Sequence, residues 1–158
     1  MQINFQPFIF RPAELHDIPA ILFLERYCFS PAIAFGHRRW RYLIRSKQIK
    51  TYVIYDQEQL VAVLCLLSHR GWQGIEIRCL AVHWNYRRRS LASKLLHLTR
   101  QVAMDDGYNK LFLSADVENS AALQLYQKLG FKPSHFQPHY YGWEQHAYRM
   151  HCLLNPII

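Results

Sequence analysis

The 158-residue chain reads as an α+β domain, a mixed β-sheet covered by helices on both faces. Three observations carry that reading. Hydrophobic residues make up 51% of the chain and charged ones 19%, so a packed core is expected rather than disorder. The apolar pattern switches repeatedly between period two and helical spacing. Around residues 82–91 a strand feeds directly into a helix, a junction at which α/β folds bind anions. The length fits one domain over residues 1–158.

Residues 8–11 are short and apolar, stop at Pro12 and read as a first strand. Asp17 is a plausible N-cap for a helix over residues 18–29 that ends at Ser30-Pro31. A second helix is expected over residues 37–46. Residues 51–55 and 60–68 are β-rich runs around the polar turn Asp56-Gln57-Glu58-Gln59, a hairpin signal. Gly71 and Gly74 bracket a further turn. Residues 75–82 follow as a long strand, with Ile75, Ile77 and Cys79 alternating against Glu76 and Arg78.

Leu91, Leu95, Leu98 and Val102 then recur at helical spacing up to Gly107. Residues 111–115 read as a strand. Asn119 is a good N-cap for a helix carrying Ala122, Leu125, Tyr126 and Leu129, closed by Gly130. Residues 131–132 and 147–153 read as the last strands, with a polar loop containing Pro133 and Pro138 between them.

The formal net charge of +8 admits nucleic acid, an anionic cofactor or an acidic surface as partner. The charge falls in two clusters. Arg38, Arg39, Arg41, Arg45, Lys47 and Lys50 read as a solvated helix face; Arg87, Arg88 and Arg89 stand at the strand-to-helix turn. No nucleic-acid-binding pattern appears. Cys28, Cys65, Cys79 and Cys152 form no C-x-x-C pair and match no zinc spacing, so no metal is expected. Thiols among apolar residues suit a reducing cytoplasm. The first ten residues lack the order of a signal peptide, and no apolar run suits a membrane span.

At residues 87–93 charge, small side chains and a helix start coincide. Unpaired N–H groups at a helix N-terminus accept phosphate oxygens, arginines add attraction, and Ser90, Ala92 and Ser93 allow close approach. Charge alone favours a solvated helix start with surface arginines.

The run Leu80-Ala81-Val82-His83-Trp84-Asn85-Tyr86-Arg87-Arg88-Arg89-Ser90-Leu91-Ala92-Ser93 resembles the acyl-CoA motif of the GNAT family of N-acetyltransferases, Gln/Arg-x-x-Gly-x-Gly/Ala. Arg87 takes the first slot, Ala92 the last, and Ser90 stands where glycine is usual. Asn119-Ser120-Ala121-Ala122-Leu123-Gln124-Leu125-Tyr126-Gln127-Lys128-Leu129-Gly130-Phe131 is similar to the family's Asn-x-x-Ala-x-x-Leu-Tyr-x-x-x-Gly-Phe. The resemblance implies a mostly antiparallel sheet of six to seven strands. It also implies acetyl-CoA as co-substrate and an amine acceptor, a protein N-terminus or a small molecule. His139-Tyr140-Tyr141 and the strand after it are similar to enzymes acting on protein N-terminal α-amines, of the ribosomal-protein-alanine type.

Carried onto this chain, the resemblance assigns Leu80, Ala81, Val82, Arg87, Arg88, Arg89, Ser90, Leu91, Ala92, Ser93, Asn119 and Tyr126 to the coenzyme. Tyr126 is the candidate acid for the leaving thiolate; on spacing alone it is a core tyrosine. Glu76 is the candidate base or a solvent-facing strand residue. Ser114 stands where relatives carry Glu or His and can hold a water. Asp116 and His83 read as surface residues. Tyr140 and Tyr141 are candidates for the acceptor groove. About a tenth of α-amines are neutral near pH 7, against under a thousandth of lysine amines, so weak base machinery favours an α-amine. Alternatives are an acyl-CoA-binding protein of this fold with weak or lost catalysis, for which Ser90 and Ser114 speak, and a basic nucleic-acid-binding module. Either a monomer or a homodimer is compatible.

Overall fold

In the computed structural model, which describes residues 3–154, seven strands build one sheet in the order β1-β2-β3-β4-β5-β7-β6. The strands are β1 (Ile9–Pro12), β2 (Ile49–Asp56), β3 (Gln59–His69), β4 (Gly74–Val82), β5 (Lys110–Asp116), β6 (Lys132–Gly142) and β7 (Gln145–Leu153). The helices are α1 (Ile18–Cys28), α2 (Gly36–Arg45), α3 (Leu91–Asp105) and α4 (Ser120–Lys128). Every neighbouring pair is antiparallel except β4 and β5, which run parallel with α3 as the crossover.

Helices cover both faces because the strands are apolar on both. One core joins Leu64, Ile75 and Ile77 of the sheet to Leu91, Leu95 and Leu96 of α3. The other joins Val53, Val63 and Cys65 to Ile21 and Leu24 of α1 and to Trp40 and Leu43 of α2. The arginines of α2 point to solvent, as their pattern suggested.

A change of parity in β4 positions everything that follows. Cys65 pairs with Cys79 but Leu66 pairs with Ile77, which leaves Arg78 as a bulge. Ile75 and Ile77 therefore face the α3 core, whereas Cys79 and Ala81 face the α1–α2 core. A one-residue slip exchanges the faces of every later side chain. The expected grouping of Cys79 with Ile75 and Ile77 is corrected on this point.

Two other expectations are corrected. Asp17 adopts a helical backbone and makes no side-chain cap bond. Its carboxylate is buried, accepts two bonds from Arg11 at 2.7 and 2.8 Å and one from the Tyr55 hydroxyl at 2.7 Å. Burial alone would raise its pKa, but the bonds from Arg11, the Glu14 amide and Tyr55 hold it at about 2. The expected polar loop before β7 is instead the eleven-residue strand β6. It lies at the sheet edge, where Pro133 and Pro138 need donate no ladder bond, and its pairing is interrupted near each.

Candidate active site

The parallel pairing of β4 with β5 is brief. It runs from Gly74 with Lys110 to Ile77 with Leu113 and then stops, although β4 continues to Val82 and β5 to Asp116. Beyond the Arg78 bulge the two strands splay. β4 remains paired with β3 on its other side as far as Val82. Its β5-facing edge is therefore a stretch of backbone without ladder partners, at the middle of the sheet.

Two cavities meet at this splay. A groove of about 850 Å³ is bordered by Leu80, Ala81 and Val82, by the turn through Arg87, Arg88 and Ser90 to Ser93, and by Asn119, Ala122 and Tyr126. A cavity of about 480 Å³ lies against the α1–α2 side, with Glu25, Phe29, Phe35, Glu76, Ser114 and Tyr141 in its wall. Cys28, Leu80, Asn119 and Tyr126 belong to both.

The turn before α3 is shaped for an anion. Residues 87–90 are exposed, and Arg88 and Ser90 hold left-handed backbone at φ of 63° and 60°. Ser90 is the N-cap, yet its side chain makes no cap bond; only its carbonyl joins the helix, accepting from the Lys94 amide at 2.9 Å. The first N–H groups of α3, at Leu91, Ala92 and Ser93, are those a helix leaves unpaired. Diphosphate oxygens fit such a cradle by charge and by donor supply. The three arginines divide their work. Arg87 folds back onto the Val82 carbonyl at 3.2 Å and Cys28 Sγ at 3.6 Å, and Arg89 lies over the Tyr86 ring. Arg88 makes neither contact.

Asn119 caps α4 as expected, its side chain accepting from the Ala122 amide at 3.1 Å. That cap aims the first turn of α4 at the splay and carries Tyr126 to the junction of the two cavities. Burial pushes the Tyr126 phenol up to about 12, so it stays protonated and can donate.

Glu76 and Ser114 share one hydrogen-bonded network. Glu76 is buried; Arg149 donates to Oε1 at 3.0 Å, Arg78 to the same oxygen at 3.3 Å, and His69 Nε2 lies 2.8 Å from Oε2. Burial raises its pKa, but Arg149 and His69 outweigh it and hold the carboxyl below its ordinary range. Arg149 also donates to Ser114 Oγ at 3.3 Å, and Ser114 donates to Gln137 at 2.8 Å. Glu76 thus lines the cavity as an anion already held by cations, and not as the solvent-facing residue that alternation also allowed.

Tyr141 lines the cavity and donates from its hydroxyl to the Ser114 carbonyl at 3.1 Å; burial pushes its pKa up. Tyr140 packs edge-on against it. Of the other aromatics, Trp40 is fully buried, and Trp143 is 81% exposed at the β6–β7 tip. His83, expected at the surface, is buried against Trp84 and near Gln59 Nε2, and its ring accepts from the Asn85 amide. His139, Glu144 and His146 meet at the hairpin tip, where the Nδ1 atoms of both histidines already accept backbone N–H bonds.

Sequence reading missed Glu25, Arg149 and Gln137. The first two had a signal. Glu25 falls at a core position of the stripe Ile18, Ile21 and Leu24, and Arg149 stands between Tyr148 and the buried Met150 in the strand β7. Gln137 lay in the presumed loop.

This arrangement has counterparts among known proteins. Residues 13–131 match the model of the acetyltransferase (GNAT) family. N-alpha-acetyltransferase MAK3 of Arabidopsis thaliana is 29% identical over 140 residues, 87% of this chain and 73% of that protein. N-alpha-acetyltransferase 30 of Schizosaccharomyces pombe is 31% identical over 96 residues; the match spans 58% of this chain and 63% of that relative's length. The crystal structure of the ribosomal-protein-S18-alanine N-acetyltransferase from Escherichia coli shares the fold, with a TM-score of 0.81 over 96% of both chains at 19% identity. So does a chain of the NatC complex bound to Gag peptide and CoA, with a TM-score of 0.78 over 94% of this chain and 99% of that one at 23% identity.

Proposed function

Since the chain belongs to the acetyltransferase (GNAT) family, whose co-substrate is acetyl-CoA, we propose that it acetylates the α-amines of protein N-termini. The observation that carries this reading is the junction at Tyr126. A groove with an anion cradle at one end meets a separate cavity there, and a protonated phenol stands between them.

The chemistry asks three things of the chain. The turn at residues 87–93 holds the diphosphate. The unpaired edge of β4 around Leu80 lies along the coenzyme's pantetheine arm and offers N–H groups to the thioester oxygen as charge grows on it. As the amine nitrogen forms its bond to the carbonyl carbon and the carbon–sulfur bond breaks, Tyr126 gives its proton to the departing sulfur. The nitrogen's own surplus proton leaves to solvent, and the Tyr126 phenolate takes a proton back from solvent before the next turnover.

An α-amine suits this site because the two groups expected to act as base or to hold a water are already engaged. Glu76 is held by two arginines and a histidine, and Ser114 is engaged with Gln137. Deprotonating an α-amine near pH 7 costs roughly 1 kcal/mol, a lysine about 4 to 5. The Arabidopsis and fission-yeast relatives are N-alpha-acetyltransferases, which points the same way. Four free thiols and the reading of a cytoplasmic enzyme go together.

The test is release of the CoA thiol with a panel of acceptors: peptides with a free N-terminus, the same peptides N-terminally blocked but carrying lysine, and polyamines. Turnover confined to free N-termini is expected. Preference for lysine side chains or polyamines would overturn the acceptor assignment.

A further inference from the structure

Helices α1 and α2 pack over β2, β3 and β4, and none of the described residues of β5, β6 or β7 joins that core. The other half of this sheet face is open and forms a groove of about 1070 Å³. Ile75, Leu111, Leu113, Met150 and Cys152 point to the α3 core. Alternation sets their neighbours Glu76, Phe112, Arg149 and His151 on the opposite face, and these line the groove. Pairing places Phe112 beside His151, and His135 beside Arg149. Trp72, in the turn before β4, is 53% exposed; His69 stacks on its ring and Phe112 meets it edge-on.

The groove adjoins the cavity beside Tyr126. Glu76, Arg78 and Tyr140 line both, and Ser114 in one bonds Gln137 in the other at 2.8 Å. Its charge is one-sided. Among the described residues of its lining, Arg78, Lys110 and Arg149 stand against Glu76 alone, a balance of +2 before His69, His135 or His151 takes a proton. Arg78 and Arg149 both reach Glu76 through Nη1, so each guanidinium keeps donors for another anion. Lys110 makes no ion pair among the described residues. Past Trp72 the lining continues into a second basic hollow, where Lys50 pairs with Asp106 and Lys47 and Arg70 add further positive charge.

We propose that this groove holds the acceptor chain beyond its reacting N-terminus and selects acceptors that carry acidic residues there. The assignment rests on the reading of the cavity beside Tyr126 as the acceptor site. From Leu80, beside which the amine reacts, β4 runs back past Glu76 to its start at Gly74. At about 3.3 Å per residue an extended acceptor keeps pace with the strand, so roughly its fourth to seventh residues lie over the groove. Aspartate or glutamate at those positions meets Lys110 and the unused donors of Arg78 and Arg149 in charge-assisted bonds. Lysine or arginine meets like charge. The Trp72 and Phe112 rings offer flat apolar contact to any aliphatic side chain. Continuity with the acceptor cavity commits the groove to a polypeptide rather than a nucleic acid.

The test uses the full chain and free-N-terminus peptides that share their opening residues but carry glutamate, serine or lysine from the fourth residue to the seventh. At low ionic strength the wild-type KM is expected to be about tenfold lower for the glutamate peptide than for the lysine peptide, with kcat within about twofold and the gap narrowing as salt rises. Lys110→Glu should raise the KM of the glutamate peptide about fivefold and lower that of the lysine peptide, while the serine peptide and acetyl-CoA stay within about twofold. Equal KM values for the three peptides in the wild type overturn the proposal, and so does a preference that K110E leaves intact. Should K110E not fold, N-terminally blocked glutamate and lysine peptides are compared as inhibitors of the wild type; equal inhibition overturns the proposal. A single-stranded RNA of the same charge that inhibits more strongly than the blocked glutamate peptide makes the groove a nucleic-acid site and overturns it too. A wild type that turns over no free N-terminus removes the acceptor reading and this one with it, whereas normal turnover that ignores the downstream residues removes only the role of the groove.

Discussion

Ser90→Gly probes the turn from which the coenzyme reading began. Ser90 holds φ of 60° and ψ of 17°, and its side chain forms no cap bond that would reward the geometry. Left-handed backbone costs an L-residue roughly 1–2 kcal/mol. Glycine removes that strain but brings about 0.5–1 kcal/mol of extra unfolded-chain entropy. The net expectation is a stabilisation of about 0.5–1 kcal/mol, which for a chain of this size raises Tm by about 1–4 °C. Losing the side chain also clears the approach to the amides of Leu91 and Ala92. One less obstructed charge-assisted bond, about 1 kcal/mol, tightens CoA binding about fivefold. Calorimetric titration with CoA and thermal unfolding of S90G, with S90A as the control that keeps the strain but drops the hydroxyl, read the two effects separately. A lower Tm for S90G would refute the strain argument. An unaltered CoA affinity would refute the placement of the diphosphate on these amides.

Three further substitutions test other parts of the structure. Tyr126→Phe is expected to lower kcat about a hundredfold and leave the KM for acetyl-CoA within about twofold, by steady-state kinetics; equal losses in both would make Tyr126 a packing residue. Asp17 has a folded pKa of about 2, below its unfolded value, so its stabilisation is present above about pH 4 and fades as pH falls toward 2. Asp17→Asn should therefore cost about 2–3 kcal/mol in denaturant unfolding near pH 7, with the gap to wild type closing in acid; a neutral-pH difference under about 1 kcal/mol would contradict the buried pair with Arg11. Gly74 lies under the Phe112 ring, which an added Cβ would overlap, with the Lys110 carbonyl only 2.9 Å from it. Gly74→Ala should cost about 1–3 kcal/mol and lower Tm by several degrees, and an unchanged melting curve would contradict the packing of β4 on β5.

Much of the fold was legible because its signals are local. Apolar spacing located α3 and α4, and Asn119 announced the start of α4 because capping needs only a few consecutive residues. Asp17 carried the same cap signal and misled, since the half-buried Arg11 and a tyrosine distant in sequence compete for its carboxylate. Strand β6 was hidden by its prolines. Only the sheet order, which leaves β6 at an edge, explains why they are tolerated.

For the site itself, the sequence by itself marked the turn at residues 87–93 as a candidate anion cradle and, with the Asn119–Phe131 segment, pointed to the family, because backbone donors and small residues in a short run suffice for a phosphate cradle. It left open whether Ser90 would need left-handed backbone, and what Glu76 would touch. Tertiary structure decided both. The Arg78 bulge turns later β4 residues over and ends the pairing with β5, so the groove opens where the strands part. Strand pairing brings Arg149 and Gln137 to Glu76 and Ser114 across the sheet, and the bend between α1 and α2 buries Glu25 with one oxygen unmatched. These partners lie 10 to 73 residues apart in the chain, beyond the reach of periodicity, and only the closed sheet with its helices docked sets the charge and donors around each group. The turn at Ser90 was thus visible from sequence as a place for an anion; its strain, and the cavity it serves, belong to the folded molecule.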